Sequence, residues 1–342
     1  MSIDRRLNLR VVSTRRIATP DTPMTQGGIM ALTIVPGTNR AYVRGVPASS
    51  EIEGNMILGA RLVDRDGQLQ LEDMEPVLSK EMFPVSLEGA RVIAYEDGTA
   101  NRNGLYASQV CEGRTDGRPY VNLVHLNTST RELRTVASPL DPKVQALNSD
   151  KSMAITMVKE AEEMVVNRQK HLLFEYYAQP LFTPEQTAKE KLQLDIIKSV
   201  SRISIWKLNE DGELTDGRPF HTSKKMGRSM FSTAGKPLKL ADGRTLLFFN
   251  RSKDGIWGVT HMVLDGLKKQ YVHLEFDITV PEDQEVQPVP SAVMEWGTTQ
   301  TSFGSDIRQV DEHTVCIVYH LNESAVIEAL VEIDVPLLSA EV

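Results

Sequence analysis

The sequence predicts an all-β fold, a five-bladed β-propeller with one inserted helix. Three observations lead there: tight-turn signals recur between short apolar runs, one strand-turn-strand plan repeats along the chain, and only one stretch carries clear helix signals. The plan, a polar cluster, an apolar strand, a turn and a second apolar strand, appears about five times in 342 residues. That leaves about 60 residues per unit, enough for a four-stranded blade with its loops.

The turns come first. "MILGARLVDRDGQLQLEDM" has apolar residues on either side of Asp66-Gly67, and "ISIWKLNEDGELTDGRP" repeats the arrangement around Asp211-Gly212. Asp-Gly between β-rich runs marks a hairpin, because glycine accepts the positive φ that the favoured two-residue turns require. "LKLADGRTLLFFNRSKDGIWGVTHMVLD" holds two more such pairs, at Asp242-Gly243 and Asp254-Gly255, so the stretch reads as a meander rather than as βαβ units. The string "TDGRP" occurs twice, at 115–119 and 215–219, a weak internal repeat beside the coarser one.

The helix is "TPEQTAKEKLQLDIIKSV", residues 183–200. Thr183 suits the N-cap, Pro184 the first helical position and Gln186 the capping-box partner, with Ala188, Leu192 and Ile196 on one face. It is expected to be an insertion within a single propeller domain spanning 1–342. "MVKEAEEMVV" is compatible with a second short helix or a hairpin tip. The acidic, proline-rich "TVPEDQEVQPVP" reads as a connection between the fourth and fifth blades.

Composition excludes several classes. A net charge of -8 argues against a nucleic-acid surface, which needs concentrated Lys and Arg. No apolar window has the length to span a bilayer, and the arginine-bearing N-terminus has no secretory h-region, so no membrane partner and a cytoplasmic protein are expected. The two cysteines, Cys111 and Cys316, read as reduced core thiols. There is no zinc-type spacing, and no metal or cofactor is expected.

Taken in order, four stretches resemble the blade openings of the five-bladed β-propeller glycosidases and phosphorylases, the mannosyl-glycan phosphorylase and furanosidase-like group. They are "LEGARVIAYEDG" (87–98), "NSDKSMAITMV" (148–158), "GKPLKLADGRTLLFFNR" (235–251) and "SFGSDIRQVDEHTVCIVYHLNESAVIEALVEI" (302–333). The family's Glu-Asp-Pro-Arg stands here as Glu88-Gly89-Ala90-Arg91, and its Lys-Asp pair is reversed as Asp150-Lys151. The resemblance implies an oligosaccharide or glycoside substrate, with inorganic phosphate as a second substrate if the chain is a phosphorylase.

In a propeller the innermost strands converge on the axis, so polar residues at their starts meet at one mouth. Glycosidic cleavage needs a protonated carboxyl to assist the leaving oxygen and a second carboxylate as nucleophile or base. Glu88, Asp150 and Asp306 are the candidate catalytic carboxylates. Arg91, Lys151, Arg228 and Arg308 are candidate contacts for substrate or phosphate, Trp296 a sugar-stacking face and His320 a further contact in the cavity. Against these stand plain readings: strand-end ion pairs for Glu88 with Arg91 and Asp150 with Lys151, a turn for Asp306 beside Gly304 and Ser305, and core packing for Trp206.

Two other functional readings compete. Glu175 with Tyr176 or Tyr177, and "SKDGIW" at 252–257, are compatible with a sialidase-like hydrolase, although that last segment is explained by a hairpin. The altered Glu88–Arg91 motif suits a non-catalytic carbohydrate-binding propeller.

Overall fold

The computed structural model describes residues 7–19, 29–45, 55–113, 118–183, 185–220, 231–253, 256–273, 275–278, 300–321 and 325–338. After an N-terminal strand β1 (Leu9–Ala18), the chain folds into successive antiparallel meanders. The first is β2 (Ile29–Ile34), β3 (Arg40–Gly45), β4 (Met56–Arg65) and β5 (Gln68–Leu78). The second is β6 (Val92–Asn101), β7 (Gly104–Cys111), β8 (Tyr120–Asn127) and β9 (Leu133–Ala137), followed by a short helix α1 (Pro142–Gln145). The third is β10 (Met153–Val166), β11 (Gln169–Pro180), β12 (Val200–Leu208) and β13 (Leu214–Pro219), with helix α2 (Ala188–Lys198) between β11 and β12. The fourth comprises β14 (Phe231–Thr233), β15 (Leu238–Lys239), β16 (Thr245–Lys253), β17 (Ile256–Asp265) and β18 (Lys268–Val272). The last, β19 (Gln300–Gln309), β20 (Thr314–Leu321) and β21 (Ala325–Ile333), takes β1 as its outer strand, paired antiparallel from Leu9↔Ile333 to Ile17↔Val326.

The turn chemistry acts where the sequence placed it. Asp66 and Gly67 take φ of 54° and 83° between the paired residues Arg65 and Gln68, as a two-residue hairpin turn requires. Gly212 and Gly243 also have positive φ in the turns before β13 and β16. Ser252↔Trp257 and Lys253↔Ile256 make "SKDGIW" a hairpin connection, its Asp254 and Gly255 lying outside the described residues. "MVKEAEEMVV" is strand throughout: it lies in β10 and turns back into β11 through Asn167 and Arg168.

The inserted helix begins at Ala188, later than the expected boundary at 183. Gln186 does reach back to the Thr183 amide at 2.8 Å, but a second box takes over one turn on. The Thr187 amide donates to Glu190 at 2.8 Å while the Glu190 amide donates to Thr187 Oγ1 at 3.3 Å, so the cap nearest the helix sets its start. "TVPEDQEVQPVP" and Trp296 lie outside the described residues.

Each hydrophobic core is shared by two meanders. Tyr42, Ile57 and Leu78 of the first pack with Tyr95, Leu105 and Tyr120 of the second. Tyr106 and Leu123 meet Ile155, Phe174 and Trp206 of the third, where Trp206 stacks on Phe174 at 5.8 Å. Leu173 and Ile203 meet Leu247, Phe249 and Met262 of the fourth, and Phe248 and Val263 meet Ile317 and Val331 of the last. Ile17, Leu32 and Leu58 then pack with Cys316 and Val318, returning the order to the first meander. Both cysteines are buried free thiols in separate cores.

The leading strands close a ring through hydrogen bonds. The Ala100 amide of β6 donates to Thr33 Oγ1 of β2 at 3.0 Å, and Asn101 donates to Glu163 of β10 at 3.1 Å. Thr233 Oγ1 of β14 donates to the Glu160 carbonyl of β10 at 2.9 Å, and Asn250 of β16 donates to the Thr233 and Gly304 carbonyls, each at 3.0 Å. The Ile34 amide of β2 donates to Asp306 of β19 at 3.2 Å, completing the circuit. These polar groups on buried strand faces are satisfied by the neighbouring meander, which fixes the leading strands around a common axis.

Candidate functional site

The axis gathers its charged residues through β-bulges. Register breaks fall between Glu96 and Gly98 in β6, between Lys159 and Ala161 in β10, and between Gly304 and Asp306 in β19. Asp97 and Glu160 occupy them with φ of 38° and 50°, a left-handed backbone that costs a non-glycine residue about 1 kcal/mol or more. A bulge interrupts the alternation of side chains and re-aims the extra residue, so a strand buried on both faces can present a carboxylate sideways.

The bulge residues form one cluster. Lys159 Nζ lies 3.9 Å from Asp97, 3.6 Å from Glu160 and 3.7 Å from Glu175. Arg44 of β3 donates to Asp97 at 2.9 Å and stands 3.8 Å from Glu96, whose other oxygen accepts from Asn55 at 3.0 Å. Glu175 accepts from Ser201 Oγ, and its carboxyl shares Lys159 with that of Glu160. The cluster grades from closed to open: the Glu175 side chain is 4% exposed, Asp97 17% and Lys159 26%.

Burial and charge push the acids apart. Burial acts on the Asp97 carboxyl to raise its pKa, but Arg44 and Lys159 outweigh it and hold the group below its ordinary value. For Glu160 burial wins: with Lys159 opposing, and Glu175 and Asp97 adding repulsion, the carboxyl sits well above its ordinary value. Glu175 is also raised, by burial against the pull of Lys159 and Ser201. Burial lowers the Lys159 ammonium, yet its surrounding carboxylates raise it overall, so it stays charged. An acid that holds its proton more tightly than usual therefore stands beside one that gives its proton up more readily, an arrangement suited to general acid and base chemistry at one centre.

A second polar layer lies next to the first. Asp306 is 1% exposed and accepts from Lys236 Nζ at 3.1 Å, which also donates to the Ile34 carbonyl at 2.8 Å. Burial lifts Glu162 to about 8, against the pull of Lys236 and with repulsion from Asp306 and Glu163.

The expected site residues divide between the axis and the periphery. Asp306 is axial. His320 of β20 faces Arg44 and Asp97 electrostatically; burial and then Arg44 depress it to about 4, so it is neutral near pH 7. Glu88 is exposed and accepts from Asn122 of β8 at 3.0 Å, and Arg91 pairs with Glu112 at 2.7 Å. Asp150 and Lys151 are exposed in the turn before β10, where Asp150 accepts from the Ser152 amide and hydroxyl at 2.9 and 2.7 Å. Arg308 pairs with Glu328 of β21, which also takes Arg15 of β1 at 2.9 Å, so it fastens the last meander to the N-terminal strand. Arg228 and Trp296 lie outside the described residues. Glu175, paired with a tyrosine in the sialidase-like reading, instead contacts Ser201 and Lys159, while Tyr176 and Tyr177 are buried.

Asp97, Lys159 and Glu160 were missed as site residues. Their signal lies in "AYEDGTAN" and "MVKEAEEMVV", where charged residues interrupt otherwise apolar strands at a spacing that alternation does not explain. Among the described residues no group of three or more His, Cys, Asp or Glu is placed to hold a metal ion, and no helix is long and apolar enough to cross a membrane.

No family model and no curated protein matches the sequence. Solved structures do match in shape. The β-1,2-mannobiose phosphorylase from Listeria innocua, in complex with β-1,2-mannobiose, is similar with a TM-score of 0.52 at 10% identity, covering 94% of this chain and 90% of that one. A protein assigned as a glycoside hydrolase from Parabacteroides distasonis gives 0.51 at 13% identity, covering 89% and 86%. Another from Bacteroides ovatus gives 0.51 at 12% identity with the same coverage. At these identities the likeness establishes a fold: the chain has the β-propeller-like architecture of these proteins.

Proposed function

We propose that residues 1–342 form a single five-bladed propeller enzyme, with 183–200 as an insertion, that cleaves a glycosidic bond of an oligosaccharide or glycoside at the axial cluster. One observation carries the reading: Glu160 and Asp97 stand around Lys159 with their proton affinities driven in opposite directions. Glu160 is the group to protonate the leaving oxygen, standing with Glu175 beside Lys159 while Glu175 accepts from Ser201. Asp97, kept ionised by Arg44, is the group to act on the anomeric carbon or to activate the acceptor. His320 is a neutral contact for sugar hydroxyls, and Asp306 with Lys236 supports the cluster from the adjoining layer. The roles first sought at Glu88 and Asp150 pass to Asp97 and Glu160 because both former residues sit in exposed turns, Glu88 held by Asn122 and Asp150 by Ser152. The solved structures of similar shape, a β-1,2-mannobiose phosphorylase and proteins assigned as glycoside hydrolases, support the substrate class.

A carbohydrate-binding module is the second reading, favoured by one feature: each carboxylate in the cluster already has a partner within the protein. Incubating the purified protein with aryl glycosides and manno-oligosaccharides separates the two. The enzyme releases sugar from at least one of them. A module releases none, although sugars would raise its melting temperature.

A further inference from the structure

Among the described residues, Lys159 and Arg44 meet the axial cluster and are paired with the protein's own carboxylates. Lys159 serves Asp97, Glu160 and Glu175, and Arg44 serves Asp97 and Glu96. Four carboxyl groups, those of Glu96, Asp97, Glu160 and Glu175, thus stand around two cations, so acids outnumber bases in the cluster. His320 adds no positive charge near neutral pH, because burial and Arg44 keep it unprotonated. In the adjoining layer Lys236 is taken by Asp306, beside Glu162. Two other basic residues among the described candidates are tied down away from the axis, Arg91 to Glu112 and Arg308 to Glu328.

Phosphate and carboxylated sugars are held by charge-assisted hydrogen bonds from guanidinium or ammonium groups, and like-charge contacts in a desolvated site are strongly unfavourable. Carboxylates, by contrast, are good acceptors for sugar hydroxyls. We infer that the axial site, on the glycosidic reading above, accepts uncharged sugars and uses water as the acceptor, and that it excludes inorganic phosphate and anionic glycosides. In the reaction the glycosidic C–O bond breaks, the leaving oxygen takes the Glu160 proton, and a water molecule supplies the new C–O bond and returns a proton through a carboxylate. No other co-reactant is required.

The test compares initial rates of aryl release from neutral glycosides, such as mannosides and galactosides, with those from the matching uronides, each with and without inorganic phosphate. The expected result is phosphate-independent release from a neutral glycoside, with the uronide at least about tenfold slower, as a like-charge penalty of about 1.4 kcal/mol or more implies. Glu96→Gln removes one rim charge, and it is expected to narrow the ratio of neutral to uronide rates. Phosphate-dependent release, or a uronide cleaved as fast as its neutral counterpart, overturns the charge inference and leaves the glycosidic reading in place. Silence across all substrates overturns both.

Discussion

At the scale of single residues, the informative feature is where the acids sit within their strands. Glu88 and Asp150 stand at the entries to β6 and β10, where the sequence suggested that an axial mouth would collect them. Asp97 and Glu160 lie several residues further along and reach the cluster only because each occupies a bulge. A bulge depends on the pairing partner as well as on the bulged strand, and so leaves little trace in a single sequence. Asp97-Gly98 illustrates this: it is the same dipeptide as Asp66-Gly67, yet one forms a bulge inside β6 and the other a hairpin turn. The strand positions of Asp306 and His320 were legible because both lie in an evident strand pair, β19 and β20. Burial supplies a stability prediction at this scale. Glu162 has a folded pKa near 8 against an ordinary 4.5, so its contribution to stability is fully present below about 4.5 and is lost as pH rises through 8. Glu162→Gln cannot ionise, and its melting temperature should match the parent near pH 4.5 and exceed it by the equivalent of about 1–3 kcal/mol near pH 8. An equal offset at both pH values in thermal melts would show that Glu162 is not the titrating group.

At the scale of elements, local chemistry made the meanders readable and long-range pairing hid their closure. Asp-Gly turns and alternating apolar runs act over a few residues, so strands β4, β5, β12, β13, β16 and β17 follow from them. Nothing local tells β1 that its partner is β21, more than 300 residues away, or that "MVKEAEEMVV" is a strand rather than a helix. The pairing is stabilised by packing that exists only in the folded ring: Ile17 is 1% exposed among Leu69, Val318 and Val326, and Glu328 joins Arg15 to Arg308. Ile17→Ala should destabilise the whole molecule by about 2–4 kcal/mol, through lost transfer energy and the cavity left behind. Urea titration should show a lower midpoint with an unchanged slope. A second, earlier transition confined to one probe would mean instead that β1 detaches separately from the ring.

At the scale of the whole molecule, cores shared pairwise in cyclic order make one cooperative body, and the hydrogen bonds linking β2, β6, β10, β14, β16 and β19 bring the bulges of β6, β10 and β19 around one axis. The ring is what turns remote residues into a site: Arg44, Asp97, Lys159, Glu175 and His320 come from four different meanders and share a single electrostatic environment. The central claim, that this environment performs glycosidic cleavage, is tested most directly by measuring sugar release for the parent beside Asp97→Asn, Glu160→Gln and Glu88→Gln. The axial variants should lose about 10²–10⁴-fold in rate while Glu88→Gln retains it, with far-ultraviolet circular dichroism unchanged in all three. Full activity in Glu160→Gln, or loss confined to Glu88→Gln, would contradict the axial assignment.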